Sequence, residues 1–346
     1  MPLTTDSLDN FQGNDDKLLR NIINARKCVT QKNMEVILEQ LVDVDCVLCG
    51  SNRNVPVLTT SESFSLVRCA ECDFQFYSPR PTDETVEAYY HGEQFYEKPN
   101  IPAIKLVMDI IGHRQISLGK LLDIGCGVGA LVSLAEKKGW SAIGVDSSPK
   151  AKELAKKVLG VDIVASYVHD LDLPPASFDV VVLLAVLEHA FDPLSIMKRV
   201  QYFLKPGGWV IFSTPNLDNV NYHALEDKRS YSWFIKEHIN HFTIKTHREL
   251  LRQSGFTSPE FHLCGHFVLE NSEKGMRICP NPSFLRAARK LHSDLQNSIT
   301  GHKADTLSDS ELLKWWSQKA EACQLPPGEY SLSDAVYVSA QKQTIQ

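Results

Sequence analysis

The sequence predicts an α/β protein built on a doubly wound, mostly parallel sheet, with a small cysteine-rich module ahead of it. Three observations carry this expectation. Leu121–Gly129, LLDIGCGVG, is an apolar run that ends in an acid and continues into glycines at 125, 127 and 129. A second apolar run, Ala142–Val145, ends in another acid, Asp146. Val180–Leu184 is an unbroken apolar run, as expected of a central strand buried on both faces.

In chain order, Asp16–Val44 spaces Leu18, Leu19, Ile22, Ile23, Met34, Ile37, Leu38 and Leu41 near the helical period, which predicts one or two amphipathic helices. Cys46-x-x-Cys49 and Cys69-x-x-Cys72 are nineteen residues apart, the spacing of a two-knuckle, four-thiolate zinc site. Val55–Leu58 and Ser65–Arg68 between the pairs suit short strands, and Gly50 frees the backbone to curl round a metal. Such a site is structural, because protein fills all four tetrahedral positions. Two disulfides are the competing reading. Cys28, Cys126, Cys264, Cys279 and Cys323 have no metal spacing.

Phe74–Pro81 should be a strand leaving this ribbon. Thr82–Glu97 begins helical and turns aromatic (Tyr89, Tyr90, Phe95, Tyr96), and Ile104–Leu118 should be the helix before the first core strand. After the glycines, Leu131–Lys138 reads as a helix, Pro193–Leu204 as another, Pro206-Gly207-Gly208 as a turn and Trp209–Ser213 as a strand. Residues 271–325 should be helical at Phe284–Gln296 and Ser308–Glu321, and Ser333–Gln341 should be a last strand. The expected organisation is 1–45 helical, 46–80 ribbon, 81–118 connector, 119–270 core, 271–330 helical insertion, 331–346 last strand and tail.

The glycine loop is built to hold a nucleoside. Its glycines allow a tight turn and close ligand approach, and the helix after it directs N–H groups at the ligand. Asp146, roughly twenty residues on, is placed to accept from both ribose hydroxyls. Gly125, Gly127 and Ala130 also satisfy the dinucleotide fingerprint. Asp123 separates the two readings: a carboxylate there repels a pyrophosphate and welcomes the sulfonium and amino group of S-adenosylmethionine. Cys126 should contribute its backbone N–H, and Gly125, Gly127, Gly129, Asp123, Asp146, Ser147 and Leu184 complete the expected cofactor set. Asp170, or His169, should end the third core strand near the adenine, and Tyr96 could close over the site.

Downstream come Leu173-Pro174, Ser177-Phe178-Asp179, Leu187-Glu188-His189, Asp192-Pro193 and Leu204-Lys205-Pro206-Gly207-Gly208. In order and spacing these segments resemble the class I S-adenosylmethionine-dependent methyltransferases. The resemblance implies their seven-stranded, mostly parallel sheet and methyl transfer to an acceptor. The ribbon, the aromatic segment and this core together resemble, more narrowly, the zinc-ribbon methyltransferases that include nucleotide-sugar C-methyltransferases, over Cys46 to Phe261 plus the last strand. Members of that group carry a Glu-His pair where this chain has Glu237-His238. By that resemblance His238 is the base and Glu237 its orienting partner.

Methyl transfer from a sulfonium has a good neutral leaving group, so what remains to catalyse is alignment and deprotonation of the acceptor. Histidine suits the second task. His189, after the fourth core strand, is the alternative base. Glu188 is placed to contact the cofactor or a nearby backbone. His238 and His241 share one face if their segment is helical.

The formal net charge of −6 argues against a broad nucleic-acid footprint. With 43% hydrophobic and 23% charged residues the composition fits a soluble enzyme. No apolar run approaches a membrane span, and the acids Asp6, Asp9, Asp15 and Asp16 speak against a transit peptide, so a cytoplasmic location is expected. The expected partner is a small-molecule acceptor. A ribbon-docked RNA or protein methyltransferase and a non-catalytic cofactor-binding scaffold are the competing classes.

Overall fold

The structure, a computed structural model, describes residues 41–59, 65–82, 99–219, 238–262, 267–272, 275–280, 289, 307–322, 328–330 and 335–344. The predicted helices before residue 41, the aromatic segment with Tyr90 and Tyr96, Glu237, and all of Phe284–Gln296 except Arg289 lie outside the described residues.

The elements, in chain order, begin with strands β1 (Leu41–Val42), β2 (Asn54–Thr59), β3 (Ser65–Cys69), β4 (Gln75–Tyr77) and β5 (Arg80–Pro81). The core follows as α1 (Ile101–His113), β6 (Lys120–Ile124), α2 (Ala130–Lys137), β7 (Ser141–Asp146), α3 (Pro149–Leu154), β8 (Val164–Ala165), β9 (Phe178–Leu184), α4 (Pro193–Phe203) and β10 (Leu204–Pro215). Then come β11 (Asn240–His241), α5 (Ile244–Gln253), β12 (Phe256–His262), β13 (Phe267–Ser272), β14 (Gly275–Pro280), α6 (Asp309–Ala322), β15 (Gly328–Tyr330) and β16 (Ala335–Lys342).

Seven strands form one sheet in the order β12-β16-β10-β9-β6-β7-β8. The five from β10 to β8 are parallel neighbours. This is the class I methyltransferase fold, with the last strand inserted between the two before it. Leu121, Leu122, Val180, Val181, Val182 and Leu183 are fully enclosed, which explains the unbroken apolar runs in β6 and β9. Strand order reverses between β6 and β9, so a crevice opens at their carboxyl ends, the usual ligand position in open α/β sheets.

A second sheet, β11-β4-β3-β2, grows from the cysteine module. β2 and β3 are the two strands expected between the cysteine pairs. β11 belongs to the long segment after β10 yet pairs antiparallel with β4, and Tyr77 N–H donates to Ile239 O at 3.0 Å. Phe74 and Phe242 pack with ring centroids 5.0 Å apart behind this pairing. The segment at His238–His241 is therefore extended and does not form the helix on which the shared face of His238 and His241 depended.

Two further expectations change. Residues 204–215 form one strand in which Pro206-Gly207-Gly208 is a register irregularity, so the turn expected there is absorbed into β10. The insertion contains α6, close to the expected second helix, but also the strands β14-β13-β15. Its β13–β14 hairpin pairs Phe267 with Pro280 through Ser272 with Gly275. These strands and α6 belong to a unit separate from the one that holds the core and ribbon, and α6 buries Leu312 and Trp316. Among the described residues no helix is long and apolar enough to cross a membrane.

Candidate active site

The loop after β6 is held by its own backbone. Gly125 and Cys126 N–H both donate to Val145 O, at 2.8 and 3.0 Å, and Gly129 N–H donates to Cys126 O at 2.9 Å. Gly127 N–H donates to the Asp146 carboxylate at 2.9 Å, and Ser148 N–H to its other oxygen at 3.0 Å. The Cys126 N–H expected to meet a ligand is thus already used within the fold. The Cys126 thiol points inward, onto Val132, Ala155 and Ile163.

Gly125 must be glycine for two reasons. Its φ is +70°, and a Cβ there would lie 2.5 Å from Val186 Cγ2. The loop therefore presses on the segment leaving β9, beside Leu184. Ala185 in that segment takes φ +53°, held by Ser213 Oγ accepting from its N–H at 3.2 Å. A non-glycine residue in this region stores of order 1–3 kcal/mol and marks a constrained site. Nothing in the sequence signalled it.

Asp123 is buried, and burial together with the charge of Asp146 pushes its carboxyl well above the usual range. Burial also raises Asp146, offset by the Ser148 and Gly127 N–H groups. A neighbouring cation would favour the carboxylate of buried Asp123, which fits a sulfonium or an ammonium and disfavours a pyrophosphate. Ser147 is half-buried and directly follows Asp146. Asp170 does not itself end the third core strand: β8 ends at Ala165, and Asp170 lies exposed in the 3₁₀ turn Val168–Asp170 that follows. His169 is equally exposed.

The two candidate bases come from distant stretches of chain and meet. The His189 and His238 rings are edge to face with centroids 4.8 Å apart. His189 is half-buried in the 3₁₀ turn Leu187–His189, and His238 is 5% exposed, just before β11. Asn240 fastens the two stretches: its Nδ2 donates to Leu187 O at 3.0 Å and Ala190 O at 2.6 Å. Arg80, behind the same turn, donates to Phe191 O at 2.9 Å and lies over the Phe191 ring. The sequence carries no sign of Asn240 or Arg80 as site builders, because both act across the fold.

At the ribbon, Cys46 and Cys72 Sγ are 3.5 Å apart, as are Cys49 and Cys69 Sγ, and all four sulfurs lie within 4.8 Å of one another. A disulfide would bring them to about 2.05 Å. Four sulfurs about 2.3 Å from a tetrahedral zinc lie near the separation seen. Burial pushes the Cys46 thiol up to about 12, so a thiolate there requires a metal. The donor set and its geometry fit zinc.

Residues 101–258 match the family model described as "Methyltransferase domain". The ubiquinone biosynthesis O-methyltransferase of Chromobacterium violaceum is 36% identical over 110 residues, 30% of this chain and 47% of that protein. The mitochondrial ubiquinone biosynthesis O-methyltransferase of Schizosaccharomyces pombe is 33% identical over 131 residues, 36% of this chain and 48% of that protein. The chain thus spans about half the length of the curated relatives it matches. Among solved structures, a Haemonchus contortus phosphoethanolamine N-methyltransferase 2 with S-adenosylhomocysteine aligns at TM-score 0.45 and 17% identity, covering 76% of this chain and 58% of that one. A SAM-dependent methyltransferase from Archaeoglobus fulgidus aligns at TM-score 0.44 and 16% identity, covering 69% and 94%. Over residues 101–258 the chain is thus similar to a methyltransferase domain, and the four cysteines ahead of it are compatible with a zinc ribbon.

Proposed function

We propose that this chain transfers the methyl group of S-adenosylmethionine to a small-molecule acceptor, a nucleotide sugar or related metabolite, with His238 as the base. One observation carries the reading. A glycine loop braced between the buried Asp123 and the half-buried Asp146 opens at the switch point of the sheet, and a histidine pair lies just past the next strand. The curated relatives, ubiquinone biosynthesis O-methyltransferases, support a small acceptor.

S-adenosylmethionine bound here supplies an electrophilic methyl on a neutral leaving group. Asp146 accepts from the ribose hydroxyls, and Asp123 offsets the cationic end. His238 takes the proton of the acceptor, and His189 is the alternative base. Zinc at Cys46, Cys49, Cys69 and Cys72 holds the ribbon sheet and takes no part in the transfer.

Calorimetry should show binding of S-adenosylmethionine and S-adenosylhomocysteine and none of NAD. A methyl-release screen of nucleotide sugars and hydroxylated aromatics should then identify the acceptor. With it, His238→Ala should lower turnover by about two to four orders of magnitude at nearly unchanged cofactor affinity. Normal turnover in His238→Ala and loss in His189→Ala would move the role to His189. NAD binding without S-adenosylmethionine binding would end the reading.

A further inference from the structure

Glu188 is 1% exposed, and its Oε2 has no hydrogen-bond partner. Buried carboxyl oxygens are almost always paired, so this one calls for an explanation. One ligating atom each from Glu188, His189 and His238 lie within 4.8 Å of one another. Asn240 fixes the arrangement by gripping the carbonyls of Leu187 and Ala190, on either side of the Glu188-His189 pair. The Glu188 carboxyl group is thus held beside two imidazoles.

We propose that Glu188 is the positioning and charge-balancing partner of the base, supplying the negative charge that lets His238 hold the proton of the acceptor. The inference rests on the reading of His238 as base. In the step, the acceptor's X–H electron pair forms a bond to the methyl carbon, and the C–S bond breaks with its electrons going to sulfur. The proton moves to the His238 ring. One positive charge disappears at the cofactor end and one appears at the imidazole end. Asp123 and Asp146 face the first, and Glu188 faces the second.

The need for such a partner is visible three residues on. His241, equally enclosed, is pushed down to about 3, first by burial and then by His238. An imidazole in His238's setting with no counter-charge would be too weak a base near neutral pH. Burial pushes Glu188 up to about 8, so near neutral pH it becomes a carboxylate only as an imidazolium forms beside it, and the two charges arise as a pair. Among the described residues, the other titratable or charged groups on elements packed around the cluster include His241 and Tyr77, with rings 5.6 Å apart, and Arg80 behind Phe191.

The test is histidine-selective NMR titration of the full-length protein, with the His238 signal assigned by its loss in His238→Ala. Glu188→Gln keeps the shape and removes the charge. The His238 midpoint should fall by at least one pH unit, a tenfold loss of proton affinity. The acid limb of kcat/KM should move to lower pH with it, because the base then stays neutral to lower pH, and kcat should fall about ten- to a hundredfold. Glu188→Asp should recover part of both, which also covers a poorly folded Gln variant. A fall in kcat with the midpoint and limb unmoved would mean a structural role and overturn the proposal. Stoichiometric Mn²⁺ binding, by electron paramagnetic resonance, that requires Glu188, His189 and His238 together would also overturn it. Because the titration needs no acceptor, it is read separately from the base assignment: normal turnover in His238→Ala sinks that assignment, and an unmoved midpoint sinks this one.

Discussion

Asp146 braces the loop by accepting from the N–H groups of Gly127 and Ser148, and its carboxylate keeps acceptor capacity for the ribose hydroxyls of the proposed cofactor. Asp146→Ala should weaken S-adenosylhomocysteine binding by about 1–3 kcal/mol in calorimetry, because the ribose hydroxyls lose a charged acceptor and the loop loses its brace. An unchanged dissociation constant would remove Asp146 from the site. His247 makes a different prediction. Burial holds it down to about 3, stacked on Phe242 with Nε2 3.0 Å from Thr214 Oγ1. An unfolded histidine titrates near 6.5, so as pH falls from there toward 3 the unfolded chain takes up a proton that the native state refuses. Stability should therefore fall on acidification, by at most about 1.4 kcal/mol per pH unit for this residue. Glu188, raised to about 8, acts in the opposite sense, losing stability as pH rises toward 8. His247→Gln should show a smaller drop in thermal midpoint between pH 6.5 and 4.5 than the parent; an equal drop would mean other groups govern the acid limb. Asp123, Asp146 and the glycines were legible in the sequence because their chemistry is local: acid, turn and helix lie within a few residues. Asn240 was not, since its two bonds reach residues 50 and 53 positions away.

At the scale of elements, α5 shows how a short signal fixes a long-range result. Thr243 caps it: Thr243 Oγ1 accepts from Thr246 N–H at 3.1 Å, and Thr246 Oγ1 accepts from Thr243 N–H at 2.9 Å. This reciprocal cap stops the helix from extending backward through His241 and leaves the preceding residues free to pair with β4. Thr243→Val should cost about 1 kcal/mol of stability by denaturant titration. It should also disturb the His238 signal more than the cofactor affinity; the reverse order would mean the cap does not govern β11. The sequence showed the ribbon strands, whose patterns are local. It could not show β11, because two residues carry no periodicity and their partner strand lies more than 160 positions earlier. The register slip in β10 escaped for a related reason: proline and glycine read as a turn, and only the flanking sheet shows that the chain runs through them as a bulge.

At the scale of the molecule, ribbon and core are joined beside the proposed base. The sheet β11-β4-β3-β2 runs from the cysteine module to the residues beside His238, whereas the glycine loop and both acids hang on β6, β7 and β9. A metal that folds the ribbon therefore acts on one half of the site. Each chain should carry about one zinc, and Cys72→Ser should abolish it, because three thiolates leave a tetrahedral position open. Removing the zinc with a strong chelator should release the β11–β4 pairing and let His238 drift from His189. Turnover should then fall by about two to four orders of magnitude, the loss expected when a general base is displaced. The dissociation constant for S-adenosylhomocysteine should change less than about threefold, since none of its expected contacts belongs to the ribbon sheet. Hydrogen exchange should quicken in residues 65–77 and 238–241 and stay slow in β6 and β9. Chelated protein that turned over normally would reduce the ribbon to an appendage. Parallel loss of cofactor binding and turnover would show the metal stabilising the entire unit, and the division between a cofactor half and a base half would fall.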